Sequence, residues 1–163
     1  MGTFAATITR HEEVGTRTFL IEMDGCAALC ATEPGQFVML RGEWGRDPLL
    51  PRAFSVMAVH DGGRAEILVK HVGKATALLA TARPGARLTL LGPLGTAFPT
   101  PTPERSDLLV AGGVGIAPLL FHATRAAGAG MSSSIRVLYG GRSAADLALV
   151  ERLRALGVAV EVT

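Results

Sequence analysis

The segment Gly112 to Pro118, GGVGIAP, is the strongest candidate for chemistry in this sequence because its glycines directly follow the apolar run LLVA. Glycine has no Cβ, so its backbone can come close to a phosphate group. A helix that starts near Pro118 would point free N–H groups at an anion. The pattern differs from the G-x-G-x-x-G fingerprint of the standard dinucleotide fold. The segment is therefore compatible with a nucleotide-binding loop and with a purely structural turn.

A second candidate is RAFS, Arg52 to Ser55, at the start of a predicted strand. A flavin dinucleotide needs a cation for its pyrophosphate, an apolar surface beside its ring and a small donor near the reactive nitrogen. Arg52, Phe54 and Ser55 could supply one of these each. The same residues are equally compatible with a strand whose arginine faces solvent and whose phenylalanine lies in the core.

A third candidate is KHVGKAT, Lys70 to Thr76, which contains the only two lysines of the chain. A predicted strand runs into Gly73, and a short helix is predicted to begin near Lys74 and to end before Pro84. The free N–H groups of its first turn would favour an anion. Two solvent-facing lysines that are close by chance would give the same pattern.

Other reactive side chains give no such signal. Cys26 and Cys30 are two potential ligands, too few for a four-cysteine metal or iron–sulfur site, so we predict ordinary thiols and no metal. His11, His60 and His122 are isolated and are predicted to be surface or core residues. We find no Ser-His-Asp or paired-carboxylate arrangement that would favour hydrolysis.

Composition narrows the class of protein. The 163 residues are 48% hydrophobic, and the net charge of +2 comes from 16 basic and 14 acidic residues that are interspersed. This pattern predicts a folded chain that does not bind nucleic acid. No apolar run approaches the roughly 20 residues of a membrane span, and the first residues do not resemble a signal peptide. We therefore expect a cytoplasmic protein without a membrane partner.

The hydrophobic pattern divides the chain in two. Six short segments with alternating or clustered β-branched and apolar residues predict a six-stranded antiparallel Greek-key barrel over residues 1–98. A proline-rich linker is predicted at 99–106. Strands and helices then alternate over 107–163, with helices at about 118–127 and 144–156, which predicts part of a parallel α/β sheet. Three such strands are about half of the usual nucleotide-binding sheet, so we expect a complete relative to be longer.

The segments RAFS, VGKAT, GPLGTAF and GGVGIAP, in this order, resemble the ferredoxin–NADP reductase superfamily. Together with PGQFVML and YGGRSAADL they are most similar to the electron-transfer subunits of NAD-dependent dihydroorotate dehydrogenase. The resemblance extends from about Phe4 to Thr163. It implies an FAD-binding barrel followed by a nucleotide-binding domain, and a role in pyrimidine biosynthesis. It also implies hydride transfer from NADH to the flavin, release of the electrons one at a time, and a catalytic dihydroorotate dehydrogenase subunit or another electron acceptor as partner.

The resemblance also assigns roles to individual positions. Ser55, beside the flavin ring, is the candidate catalytic residue. The FAD contacts that the resemblance implies are at Arg52, Ala53, Phe54, Ser55, Val69, Lys70, His71, Gly73, Lys74, Ala75 and Thr76. The loop that would receive the nicotinamide nucleotide consists of Gly112, Gly113, Val114, Gly115, Ile116, Ala117 and Pro118.

Three departures leave alternatives open. Ala75 replaces a glycine that is usual in this loop of the family, and its methyl group could narrow the approach to the pyrophosphate. The family's cysteine-rich segment for a [2Fe-2S] cluster has no match here, since Cys26 and Cys30 lie elsewhere in the chain. Arg142 could bind a 2′-phosphate, so NADP(H) is possible, although the resemblance favours NAD(H). The alternatives are a stand-alone NADPH-dependent ferredoxin or flavodoxin reductase and a flavin-free binding or regulatory module.

Overall fold

Six antiparallel strands close the first part of the chain into a barrel, as predicted. The computed structural model describes residues 2–163. The strands follow one another around the barrel in the order β1, β2, β5, β4, β3 and β6, and β6 pairs again with β1. Their bounds are Gly2–Gly15 (β1), Thr18–Asp24 (β2), Phe37–Gly42 (β3), Arg52–His60 (β4), Arg64–Lys70 (β5) and Arg87–Leu94 (β6). A seven-residue helix, α1 (Lys74–Ala80), connects β5 to β6.

Alternation of side chains builds the barrel core. In β6, Leu88 and Leu90 are buried while Arg87 and Thr89 are exposed. A strand turns successive side chains to opposite faces, so this period of two places the leucines inside the barrel. Val38 of β3 joins them in the same core. The pattern that predicted strands thus also determines which face is inside.

Strand β5 is buried on both faces because the second part of the chain packs on the barrel wall. Ile67 and Val69 point into the barrel core. Leu68 points outward and belongs to a second core, which also contains Met57 of β4 and Leu120 of helix α2 (Ile116–Gly128). The barrel and the second unit therefore share one apolar interface.

The second unit is a parallel sheet of three strands within the described residues, in the order β7, β8 and β9. Helix α2 connects β7 to β8, and a short helix, α3, connects β8 to β9. The bounds are Asp107–Gly112 (β7), Ile135–Gly140 (β8), Val150–Ala155 (α3) and Ala159–Val162 (β9). The partial α/β sheet that the sequence predicted is confirmed.

The helices differ from their predicted bounds. Helix α2 begins at Ile116, two residues before Pro118, because a proline in the first turn removes only an N–H that has no partner in the helix. The prediction of one helix over 144–156 is wrong. A 3₁₀ turn covers Ala144–Asp146, and Leu149 has a φ of 65° just before α3 begins. Leu147, Leu149 and Val150 all pack on the second core, and the left-handed backbone of Leu149 interrupts any helix that would span them.

An irregular segment connects the barrel to the second unit. Residues 95–106, which include the predicted linker, contain no helix or strand. Among the helices of residues 2–163, none has the length and apolar character that crossing a membrane requires.

Candidate functional site

A cavity of about 570 Å³ lies on the outer wall of the barrel, where β4 and β5 separate. The two strands pair only from Val56 and Ile67 to His60 and Arg64. The segments 52–55 of β4 and 68–70 of β5 lie beyond the last pair, so their facing edges have no ladder partner across the gap. Backbone donors and acceptors on these edges need partners. The barrel thus opens at the position of the RAFS segment.

The cavity gathers most of the side chains that the sequence singled out for FAD. It is lined by β4 and the end of β5, by the loop before α1 with the first turn of that helix, and by residues 114–117 of the second unit. The lining residues are Arg52, Ala53, Phe54, Ser55, Leu68, Lys70, Val72, Gly73, Lys74, Ala75, Thr76, Val114, Gly115 and Ala117. Three candidate stretches that are distant in sequence therefore face one space.

The lining is cationic. It contains Arg52, Lys70 and Lys74, and none of the lining residues, all of which lie in the described range, is acidic. The Arg52 guanidinium donates from Nη1 to the carbonyl oxygens of Leu50 (2.9 Å) and Pro51 (3.3 Å). Lys74 contacts Asp47, which lies outside the cavity. The cavity can therefore hold an anionic ligand that also has an apolar part.

The loop before α1 is held in shape by Thr76. Its hydroxyl oxygen accepts hydrogen bonds from the backbone N–H groups of Val72 (2.9 Å) and Gly73 (3.0 Å), and it donates to the carbonyl oxygen of Gly73 (2.9 Å). Thr76 thus acts as a clamp on the loop. The backbone N–H groups in the first turn of α1 have no partners within the helix, and the residues of this turn line the end of the cavity.

A second cavity of about 500 Å³ lies at the carboxyl ends of β7 and β8, and it shares Lys70 and Val114 with the first. The remaining lining residues are Gly112, Gly113, Gly140, Gly141, Arg142 and Asp146. A Cβ placed on Gly112, Gly113 or Gly115 would project into open space, and Gly113 has a φ of +51°. Ligands of open α/β sheets bind beyond the carboxyl ends of the strands. The glycine-rich segment thus faces an accessible space of the kind that such a ligand occupies.

Four predicted contact residues do not line either cavity. The side chain of Val69 is fully buried in the barrel core, and that of Ile116 is fully buried in the second core. His71 and Pro118 are half-buried beside the cavities. The side chains of Val69 and Ile116 therefore point into the two cores rather than into the cavities.

Asp146 was not among the site residues predicted from the sequence. Its Oδ1 accepts a hydrogen bond of 2.9 Å from Lys70 Nζ, and the Asp146 carboxylate is nearly buried. The hydrogen bond from Lys70 and its charge lower the pKa of Asp146. The only signal in the sequence was the position of this aspartate within YGGRSAADL, without any pattern that links it to Lys70.

A cluster on the barrel wall was also missed. Glu66 is buried between the apolar residues Ala65 and Ile67, and it accepts hydrogen bonds from His60 Nε2 (2.7 Å) and from Arg152 Nη1 of α3 (2.6 Å). Three possible metal ligands, from Glu22, His60 and Glu66, lie within 4.8 Å of one another. Arg152 already neutralises Glu66, and Arg64 lies 3.6 Å from Glu22. We interpret the cluster as an ion network between the two units.

Comparison with known proteins agrees with this architecture. Residues 5–98 match the family model of the oxidoreductase FAD-binding domain. The chain is 37% identical to a dihydroorotate dehydrogenase B (NAD(+)) electron transfer subunit from Geobacillus thermodenitrificans over 77% of this chain and 50% of the relative. The identity to the same subunit from Bacillus velezensis is 34%, over 93% of this chain and 59% of the relative. The chain thus spans between half and three fifths of the length of these two relatives.

The fold is also that of solved reductases. The cytochrome P450 reductase GcoB from Amycolatopsis superimposes with a TM-score of 0.85 at 26% identity, over 98% of this chain and 51% of that structure. The family match over residues 5–98 includes the strand that carries RAFS and the loop before α1. The chain belongs to the oxidoreductase FAD-binding domain family, of the ferredoxin reductase type, and is similar to the electron-transfer subunits of dihydroorotate dehydrogenase B.

Proposed function

We propose that this chain binds FAD in the cavity between β4 and β5 and carries electrons from a nicotinamide dinucleotide to a partner protein. The observation that supports this proposal is the opening of the barrel wall at RAFS, with three cations and no acidic side chain in its lining. The glycine-rich segment that begins at Gly112 borders the same space from the other unit.

The residues of the cavity fit a flavin dinucleotide. A pyrophosphate is a dianion, and Arg52 and Lys74 line the cavity together with the free N–H groups at the start of α1. The flat, partly apolar ring of a flavin suits the wall made by residues 53–55 and Leu68. Its polar edge can pair with the strand edges that lie beyond the last β4–β5 pair.

The chain's own residues then have distinct tasks. A bound flavin supplies the chemistry of accepting a hydride and returning the electrons one at a time. Ser55 is half-buried on the cavity wall, where its hydroxyl can donate to a ring nitrogen. Val114 and Ala117 line the cavity from the second unit, where their apolar side chains would help to exclude water. Gly112 and Gly113 allow a dinucleotide to approach the backbone from the second cavity.

The nicotinamide nucleotide and the partner are proposed from the relatives. Relatives of 34–37% identity are named as electron transfer subunits of the NAD(+)-dependent dihydroorotate dehydrogenase B. We therefore propose NADH as the electron donor and a catalytic dihydroorotate dehydrogenase subunit as the acceptor.

Arg142 supports a second candidate, an NADPH-dependent reductase. Its side chain is 89% exposed at the rim of the second cavity, where it could bind a 2′-phosphate. Reduction of the flavin under anaerobic conditions by NADH and by NADPH separates the two candidates. Preference for NADPH that is lost in Arg142→Ala would favour the second.

The test of the main proposal is FAD binding by the purified chain, followed by flavin fluorescence and the visible spectrum. Arg52→Ala should weaken binding at least tenfold, because a hydrogen bond to a charged phosphate contributes roughly 1.5–3 kcal/mol. Arg46→Ala is the matched control, since Arg46 is exposed in the preceding loop and does not line the cavity.

Two outcomes would contradict the proposal. A chain that retains no flavin absorbance after incubation with FAD and removal of the unbound excess would favour the flavin-free binding module. Equal loss of affinity in the Arg52 and Arg46 variants would place the pyrophosphate elsewhere.

A further inference from the structure

Lys70 is the last residue of β5, and it lines both cavities. Its ammonium group donates to the carbonyl oxygen of Thr16 (2.7 Å) and to Oδ1 of Asp146 (2.9 Å). An ammonium group has three N–H donors, so one donor is left for the space where the cavities meet. The side chain is only 23% exposed, so it is held in place rather than mobile in solvent.

Asp146 connects Lys70 to the glycine-rich segment. The hydroxyl of Tyr139 lies 3.4 Å from the carbonyl oxygen of Asp146 and 3.2 Å from the carbonyl oxygen of Gly113. Tyr139 is fully buried at the end of β8 and has one proton to donate between these two acceptors. A continuous path therefore runs from the barrel strand β5, through Asp146 and Tyr139, to the backbone of Gly113.

We propose that Lys70 and Asp146 form a positioning pair that fixes the glycine-rich segment 112–118 at a set distance from the β4–β5 cavity. This role rests on the proposed function, in which a nicotinamide nucleotide held by that segment would have to come close to a flavin held in the β4–β5 cavity. Transfer between two bound rings depends strongly on their separation, so a small shift of the segment slows the reaction more than it weakens binding. Lys70 and Asp146 thus act through the segment rather than on the reacting atoms.

Another ion pair between the two units provides a comparison. Arg125 of α2 donates to Oε1 of Glu33 at 2.9 Å, and both side chains are about half exposed. Neither residue lines the two cavities that meet at Lys70. Exposed pairs of this kind contribute little to stability. Arg125→Met is therefore a control that removes a contact between the units without touching the path to Gly113.

The first test uses the ligand-free chain and measures amide hydrogen exchange over segment 112–118. Lys70→Met and Asp146→Asn should each increase exchange of this segment roughly tenfold, as expected when a hydrogen bond between charged groups is lost. The double variant should exchange no faster than the faster single variant, because both changes remove one interaction. Lys70→Arg, which keeps the charge, should stay close to the wild type, and far-UV circular dichroism verifies that each variant folds.

The second test separates positioning from binding. Asp146 does not line the β4–β5 cavity, and its replacement leaves the charge of Lys70 in place, so Asp146→Asn should bind FAD at least as tightly as the wild type. Its limiting rate of flavin reduction at saturating NADH should fall roughly tenfold, in line with the lost hydrogen bond.

The outcomes are distinct. Unchanged exchange in both single variants, additive effects in the double variant, or an equal effect of Arg125→Met would overturn the positioning role. A wild-type chain that takes up no FAD would instead contradict the proposed function, while the exchange experiment on the ligand-free chain would still decide whether the pair holds the segment.

Discussion

Arg152 of α3 donates a hydrogen bond of 2.6 Å to Oε2 of Glu66 on β5, so a cation of the second unit neutralises a buried carboxylate of the barrel. His60 Nε2 lies 2.7 Å from the other oxygen of Glu66. A buried carboxylate needs such partners because its burial removes hydration. The pair therefore couples the docking of the two units to the stability of the barrel wall.

Replacement of Arg152 by methionine should destabilise the protein by roughly 1–2 kcal/mol, because Glu66 would keep only one strong partner. The measurement is urea unfolding followed by circular dichroism. Arg154→Met is the matched control, since Arg154 pairs with Glu151 on the surface of the same helix. Its effect should stay within about 0.5 kcal/mol. Equal losses of free energy of unfolding in Arg152→Met and Arg154→Met would mean that the buried Arg152–Glu66 pair stabilises the protein no more than the exposed pair does.

The Glu66 cluster also predicts the response to acid. Burial raises the pKa of Glu66, but the hydrogen bonds and charges of Arg152 and His60 outweigh it, so the pKa lies below its usual value of 4.5. Since the folded pKa is the lower one, the stabilisation is complete above pH 4.5 and is lost as the pH falls through the folded pKa.

The free energy of unfolding of the wild type should therefore fall more steeply than that of Glu66→Gln as the pH falls through 4.5 and below it. Above this window the two slopes should agree, because Glu66 is ionised in both the folded and the unfolded chain. Parallel curves throughout the acid range would show that Glu66 does not titrate with unfolding. Asp24→Asn, a change at an exposed carboxylate on β2, is the control.

The barrel could be predicted from the sequence because alternation along single strands, as at Leu88 and Leu90, is a local signal. The parallel sheet was predicted from another local signal, the alternation of strand and helix segments over residues 107–163. The single helix over 144–156 was wrong, since the sequence pattern gave no sign that Leu147, Leu149 and Val150 turn to one core. Local periodicity describes an element well until tertiary packing requires a different path.

The sequence predicted the separate segments of the site but not how they meet or which charges pair. RAFS, VGKAT and GGVGIAP were recognised as separate stretches, but their meeting in one cavity depends on where β4 and β5 stop pairing. Asp146 lies 76 positions from Lys70, and no short-range pattern connects them. Glu66 and Arg152 are separated by 86 positions. Charged partners that meet across two units leave no periodic signal, so only the fold reveals them.

The Thr76 hydroxyl is expected to stabilise the conformation of the loop before α1. Thr76→Val removes the acceptor for the N–H groups of Val72 and Gly73, so it should destabilise the loop by about 1 kcal/mol and weaken FAD binding. Thr76→Ser keeps the hydroxyl and should restore both properties. Thr81→Val at the other end of the helix is the control, and fluorescence titration with FAD is the measurement. Normal affinity in Thr76→Val would exclude a role for the clamp.

Alanine variants of Gly112 and Gly113 distinguish backbone strain in segment 112–118 from a block to nucleotide binding. Gly113 has a φ of +51°, so Gly113→Ala should destabilise the protein by roughly 1 kcal/mol and also place a methyl group in the second cavity. Gly112 has an extended backbone, with φ of −126°, and a Cβ there would also enter open space. Gly112→Ala should therefore keep the wild-type stability and still weaken nucleotide binding, as measured by thermal unfolding and by titration with NADH. If Gly112→Ala binds the nucleotide normally, the segment is a structural turn and the nucleotide lies elsewhere.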